Sequence, residues 1–261
     1  MTSYAISTEQ EWPYVTINHF ETRGEKFRDL SHTHLVTLAP AVTDLEKWAN
    51  YSEANQWWIQ QSYDSRGESD LTAERINPNI HYKDEDGDDN LEEGRVEYLP
   101  VSQESRAPYD VSTINNDLDS HHEFAKIYRF SKQAKVAVLS EVFDPSLLLG
   151  EEAVFQTDDG TFHPESVLVQ PVWDTFDETT RKAVAAAVAV IPWDTFFEGL
   201  LHEGADGLIC VIKDTCGDAF TYRIDGPHAT FLGFGDKHES KFDGMEFETP
   251  FAPFINFDVR R

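Results

Sequence analysis

Between Asp84 and Glu97 the chain carries eight acids and one arginine, a density of carboxylates that suggests a calcium loop. An EF-hand loop needs oxygen ligands at alternating positions, a glycine at the sharp turn and a bidentate glutamate at its end. Started from Asp84, the pattern finds Asp86 and Asp88 but meets Asp89 at the glycine position and Arg95 at the glutamate. Started from Asp86, it finds Asp88, Asn90 and Glu97, and Leu91 replaces the glycine. Both registers fail at the turn, so the run reads as a solvated block of like charge. His121-His122-Glu123 opens like a zinc-binding helix, but Lys126 occupies the place of the second histidine. His32 and His34 are two positions apart and face different ways on a helix. Gly233-Phe234-Gly235 lacks the third glycine of a dinucleotide loop and follows a hairpin pattern. No nucleophile elbow or phosphate-binding loop is present, and acids are too numerous for any one pair to identify a glycosidase. No metal and no cofactor is expected.

Aromatic residues beside polar ones remain. Trp57 with its neighbouring glutamines, Tyr98, Tyr109, Asp117 beside Asn116, and the pair Trp173-Asp174 are the candidate ligand-binding residues. Apolar walls with a few directed polar groups are what a small-molecule pocket requires. Each aromatic is equally a candidate for the core. Of Trp57 and Trp58 one must face inward, because helical neighbours point about 100° apart.

The elements that would position these residues follow from periodicity. Val15, Phe20, Phe27, Leu30, Leu35 and Leu38 predict one long helix over residues 15–38, ended by Pro40. Thr43 and Glu46 form a capping box for a second helix through Trp48, Tyr51 and the Trp57-Trp58 pair to about Gln61. Asn50-Tyr51-Ser52 within it is a glycosylation sequon. Residues 62–95 are polar and punctuated by Gly and Pro, an exposed loop or crossover. Strands are predicted over 96–101 and 109–118, then a helix opened by Ser120 and Glu123, then apolar segments at 136–142 and 167–172. Ala183 to Ile191 is small and apolar enough for a central strand, and a short helix follows over 196–201. The last third, with apolar runs at 208–212, 219–224 and 229–232 separated by turn residues, predicts an antiparallel meander. This order is α+β. It divides into an N-terminal stalk helix (1–40), a ligand-binding lobe (41–200) and a smaller strand-rich lobe with the C-terminal tail (201–261).

Composition sets the outer bounds. Of 261 residues, 48 are acids against 21 lysines and arginines, a net charge of -27. Such a surface repels a phosphate backbone and an anionic bilayer, so nucleic acid is excluded as a partner. Hydrophobic residues make up 40% and aromatics 13%, enough for a packed interior rather than disorder. No run approaches the ~20 apolar residues that span a bilayer. Met1-Thr2-Ser3-Tyr4 offers neither a basic region nor an apolar one, so no signal peptide is expected. Membrane contact is expected only through segments flanking this chain. Cys210, in an apolar run, reads as a buried thiol; with Cys216, in a turn, it is the candidate for a disulfide around a strand end.

Several blocks carry a resemblance. Trp12-Pro-Tyr-Val-Thr-Ile-Asn-His-Phe-Glu-Thr-Arg-Gly24 and Tyr51-Ser-Glu-Ala-Asn-Gln-Trp-Trp-Ile59 come near the start. Pro171-Val-Trp-Asp-Thr-Phe-Asp177, Trp193-Asp-Thr-Phe-Phe-Glu198, Phe220-Thr-Tyr-Arg-Ile-Asp-Gly-Pro227 and Phe231-Leu-Gly-Phe-Gly-Asp-Lys-His238 come later. Together they resemble the extracellular region of receptor-type adenylate/guanylate cyclases of microalgae. The layout also looks like CHASE and double-Cache sensors, in which a long helix leads into PAS-like lobes. The resemblance implies a sensor of an unidentified small molecule, working as a homodimer on the extracellular side of the plasma membrane. Cyclase activity would belong to a domain outside this chain, which is then no enzyme itself. Two other classes stay open: a carboxylate-based secreted or cytosolic hydrolase, and a purely dimerising interaction domain.

Overall fold

The computed structural model describes residues 1–69, 75–84, 89–106, 111–142, 164–213, 217 and 219–243. The chain starts with two helices, α1 (Thr2–Ser7) and α2 (Phe20–Ser31), followed by strand β1 (Leu35–Pro40) and helices α3 (Leu45–Ala54) and α4 (Trp57–Ser65). A short hairpin, β2 (His81–Lys83) with β3 (Asp89–Leu91), precedes β4 (Gln103–Ser105). Helix α5 (His122–Ala134) leads into β5 (Val138–Val142), β6 (Glu165–Trp173) and β7 (Ala183–Pro192). The short helix Trp193–Phe197 then opens a meander of β8 (Leu208–Lys213), β9 (Ala219–Asp225) and β10 (His228–Phe234). The larger sheet has the order β4-β1-β7-β6-β5 and the smaller one β10-β9-β8. Every ladder between these strands is antiparallel. With antiparallel sheets in place of a parallel βαβ alternation, the fold is α+β, as the sequence implies.

The five-stranded sheet is covered on both faces, and period-two alternation sorts its side chains. Leu35 and Ala39 of β1, Val167 and Val169 of β6, and Ala186, Val188 and Val190 of β7 turn to one face. There they meet Trp58, Ile59 and Tyr63 of α4 and Phe124 and Tyr128 of α5. Val36 and Leu38, Val172, and Ala185 and Ala189 turn to the other face, against Ala5, Val15, Ile17 and Phe20. Burying a side chain such as Phe20 contributes roughly 1.5–3 kcal/mol. The meander has its own core of Phe197, Phe220, Tyr222 and Ile224, joined by Trp193 and Phe231. A fourth, small cluster, Val42, Trp48, Ile80 and Tyr98, ties the segment before β4 to α3.

The helix predicted over 15–38 is corrected by the structure. Only Phe20–Ser31 is helical; His32 takes φ 55°, which ends the helix, and Leu35–Pro40 is a strand inside the sheet. All six residues of β1 are buried, Thr37 included, so no exposed position marks an alternation, and Leu35 and Leu38 imitate a helical spacing while facing opposite layers. The expected apolar stripe is not buried either: Phe27 is 47% exposed and Leu30 86%. The second predicted helix is two, broken at Asn55, and its N-cap is Asp44, which accepts from Lys47 N at 3.0 Å. Val96 is 88% exposed, and the strand predicted over 96–101 is reduced to isolated bridges, Val42 with Tyr98 and Pro100 with Asp117. In place of the strand over 109–118 stand the 3-10 turns Val111–Thr113 and Leu118–Ser120. Helix α5 forms, although no side chain caps it. The central strand β7 and the three-stranded meander stand where the sequence puts them. No helix among the described residues is long and apolar enough to cross a membrane.

Candidate functional site

Helix α2 is seated on the sheet edge with little apolar burial of its own; its buried positions are Phe20, Glu21 and Gly24. Gly24 sits so close to β4 that an added Cβ would lie 2.0 Å from Ser105 Oγ. Ser105 Oγ donates to the carbonyl of Glu21 at 3.3 Å and accepts from Arg28 Nε at 3.3 Å. Arg28 in turn pairs with the buried Glu21 carboxylate at 2.8 Å. Burial pushes the Arg28 guanidinium down, and Glu21 opposes that shift. A polar clamp and a missing side chain thus hold this helix over the sheet.

Between α1, α2 and the sheet lies an apolar cavity of about 450 Å³, within the range of small-molecule sites. The composition of β7 explains it. Ala187 and Ala189 form part of the floor, and methyl groups there leave space that larger residues would fill. Leu168 of β6 and Val36 of β1 extend the floor, and Phe20 and Phe27 of α2 lie across it. The polar groups at its edge are Tyr4, Arg23 and Gln170. Tyr4 Oη accepts from the Asn18 amide at 2.9 Å, and the Arg23 guanidinium lies 5.7 Å from the Tyr4 ring centre.

A second, polar cavity of about 380 Å³ is bounded by Arg95, Glu97, Asp119, Tyr128, Arg129 and Lys132, among others. Arg95 is its hub, pairing with Asp117 at 3.1 Å, Glu92 at 3.2 Å and Asp119 at 3.6 Å. Lys132 pairs with Glu97 at 2.5 Å and Arg129 with Asp119 at 3.2 Å, so cations and acids largely cancel along the wall. Asp117 is fully buried. Desolvation pushes its carboxyl up to about 6, opposed by the Leu99 amide and by Arg95. Burial raises Glu92 as well, with Arg95 opposing. The Tyr128 hydroxyl is buried without a hydrogen-bond partner among the described residues, and desolvation pushes its ionisation upward.

The structure brings two of the sequence-predicted residues together. Tyr98 Oη accepts from the Arg95 amide at 2.9 Å, while Asp117 accepts from Arg95 Nη1, from Leu99 N at 2.7 Å and from Asp119 N at 3.1 Å. Both stand behind the cavity wall and hold Arg95. The others lie elsewhere. Trp57 opens α4 and is 45% exposed. Trp173 ends β6, with Arg181 stacked 4.4 Å from its ring centre. Asp174 caps the β6–β7 turn through Lys182 N at 2.8 Å. Tyr109 lies outside the described residues. Arg23, Ala187 and Gln170, which border the apolar cavity, carry no motif; the alanine-rich run is the one signal for them.

Among the described residues no group of His, Cys, Asp and Glu could hold a metal ion; residues 85–88 of the acidic run lie outside them. His122 is 89% exposed. Burial lowers the proton affinity of His121. Cys210 is half-buried and unbridged among the described residues, and Cys216, its candidate partner, lies outside them. No protein-family model and no curated protein matches this sequence.

Proposed function

We propose that the chain is a ligand-sensing domain, the extracytoplasmic part of a transmembrane receptor whose nucleotide cyclase domain lies outside it. The apolar cavity between the N-terminal helices and the alanine floor of the sheet carries this reading. A guest there would touch two parts of the fold at once, the rigid sheet and the polar-clamped α2. Its binding then favours whichever seating of α2 gives it more contacts, the requirement for a population shift. A five-stranded antiparallel sheet with its first strand inside and α5 between its second and third strands supports a PAS-like lobe. The smaller meander with its separate core supports a second lobe. In place of the long stalk helix, the short α2 is the element that would carry the signal to a partner in a homodimer.

The hydrolase reading needs an accessible pair of carboxylates in contrasting environments. Among the described residues, the buried carboxylate Asp117, pushed up to about 6 by desolvation, spends its oxygens on two backbone amides and Arg95. The test is a thermal-shift screen of small metabolites on the wild-type chain and on Ala187→Leu, which fills the cavity floor. A ligand at a hundred times its Kd should stabilise the wild type by about 2.7 kcal/mol, with the effect lost in the variant. A broad screen in which no compound stabilises the wild type removes the sensing reading.

A further inference from the structure

The ligand-sensing reading leaves the ligand's chemistry open, and the rim of the apolar cavity narrows it. In a chain of net charge -27, most described arginines find an acid; Arg106, Arg181, which lies over the Trp173 ring, and Arg23 do not among the described residues, and of these three Arg23 borders the apolar cavity. Arg28, Arg66, Arg75, Arg95, Arg129 and Arg223 each form an ion pair with an acid. Arg23 forms none among the described residues: its Nε donates to the Asn18 carbonyl at 3.3 Å and its guanidinium lies by the Tyr4 ring. Its Nη atoms make no hydrogen bond among the described residues, and Arg23 borders a cavity otherwise walled by Phe20, Phe27, Leu168 and Ala187. Across the same lip, Gln170 uses its side-chain amide NH₂ on the Pro171 carbonyl at 2.9 Å. Met1 also borders this opening, and burial and then Arg23 lower the proton affinity of its ammonium; the arginine stays charged, and its planar fork matches a carboxylate.

We infer that this cavity takes a monocarboxylic acid with an apolar body, the body resting on the alanine floor under α2 and the carboxylate held by Arg23. The assignment rests on the ligand-sensing reading and adds the sign and place of the ligand's charge. A carboxylate is the complement of Arg23, and the strongly acidic remainder of the surface discourages such an anion from binding elsewhere. The aromatic and aliphatic walls reject a small hydrophilic anion, which would lose its hydration there without recovering hydrogen bonds.

The experiment compares three guests of one body and different heads: octanoate, octan-1-ol and octylammonium, titrated calorimetrically into the whole chain. The expected order is octanoate, then octanol, then octylammonium. Arg23→Gln should weaken octanoate by roughly tenfold to a hundredfold, the range for a hydrogen bond to a charged group, and leave octanol within about twofold. Arg23→Lys keeps the charge and loses the fork, so it should recover part of the octanoate affinity. Ala187→Leu should abolish both guests while circular dichroism and cooperative unfolding confirm the fold. Equal binding of the three guests, preference for octylammonium, or octanoate binding indifferent to Arg23→Gln overturns the carboxylate assignment and leaves the sensing reading intact. Failure of octanoate alongside metabolite hits sensitive to Ala187→Leu does the same. Failure of octanoate and of the entire metabolite screen removes both.

Discussion

Gly24→Ala is the sharpest probe of how α2 is held. On an exposed helix this change stabilises by about 1 kcal/mol, because glycine loses more backbone entropy on folding. Here the new Cβ would stand 2.0 Å from Ser105 Oγ and 2.1 Å from Ser105 Cβ. Rotating the serine moves Oγ away but not Cβ, which is fixed to the backbone of β4. Carbon atoms settle at about 3.5–4.0 Å, so α2 must withdraw by about 1.5 Å. That withdrawal stretches both hydrogen bonds of Ser105 Oγ, to Glu21 O and from Arg28 Nε. Overpacking of this kind costs about 1–3 kcal/mol, and each weakened hydrogen bond about 1 kcal/mol. Against the propensity gain, the net expectation is a loss of about 2–4 kcal/mol.

Urea unfolding read by tryptophan fluorescence measures that loss, provided the m-value is unchanged. The double-mutant cycle with Ser105→Gly isolates the contact. Removing Cβ and Oγ together makes room for alanine, so the double variant should recover at least about 1 kcal/mol relative to additivity. Stabilisation by Gly24→Ala alone, or strict additivity in the cycle, would refute the close seating of α2 on β4.

Three further outcomes follow from the Arg95 cluster and the core beside it. Asp117 has a folded pKa of about 6, above its unfolded value of about 3.9. Its contribution is therefore fully present below about pH 4 and lost as pH rises through 6. The stability of Asp117→Asn minus that of the wild type should climb by on the order of 2–3 kcal/mol between those pH values in denaturant titrations, and a flat difference would contradict the buried carboxylate. Tyr128→Phe removes a buried hydroxyl that has no partner among the described residues. The variant should unfold within about 0.5 kcal/mol of the wild type or above it, and a loss near 2 kcal/mol would reveal a hydrogen bond there. Asn115, at φ 71°, accepts from Trp48 Nε1 at 2.9 Å and donates to Asn77 O at 2.7 Å. Asn115→Ala should cost about 2–4 kcal/mol by chemical denaturation through an orphaned indole and a strained backbone, with Asn115→Gly about 1 kcal/mol less severe.

What the sequence shows and hides follows the physics of each element. β7 was legible because ten small apolar residues ending in Pro192 fit a buried strand, and the meander because turn residues separate its runs at regular intervals. β1 was hidden because burial on both faces erases alternation, and its two leucines completed a false helical period begun in α2. Trp57 and Trp58 divide as the helical geometry requires: the first exposed, the second at 3%. Tyr98 and Asp117 are, by type, an aromatic and an acid suited to flank a ligand. They do share a neighbourhood, but its centre is Arg95, a cation the acidic run disguised as a failed calcium ligand. The apolar cavity left almost no trace, since a void is written in side chains that are absent, here the alanines of β7 and the glycine of α2.

The false stalk helix and the cavity have one cause. A helix that buried Phe27 and Leu30 as the periodicity demands would close the space above Ala187 and Ala189. Instead, Glu21, Arg28, Ser105 and Gly24 fix α2 along its edge by directional contacts, and its apolar residues are left to face a cavity and solvent. Elements held by few apolar contacts lie at the low-stability end of a fold, where ligand-responsive segments are found. Hydrophobic contacts withheld in the empty fold are then contacts a guest can supply, and α2 gains more from them than the sheet, whose own side chains are already packed. The differential affinity that the proposed sensing requires would then reside in a helix whose sequence promises more burial than its structure delivers.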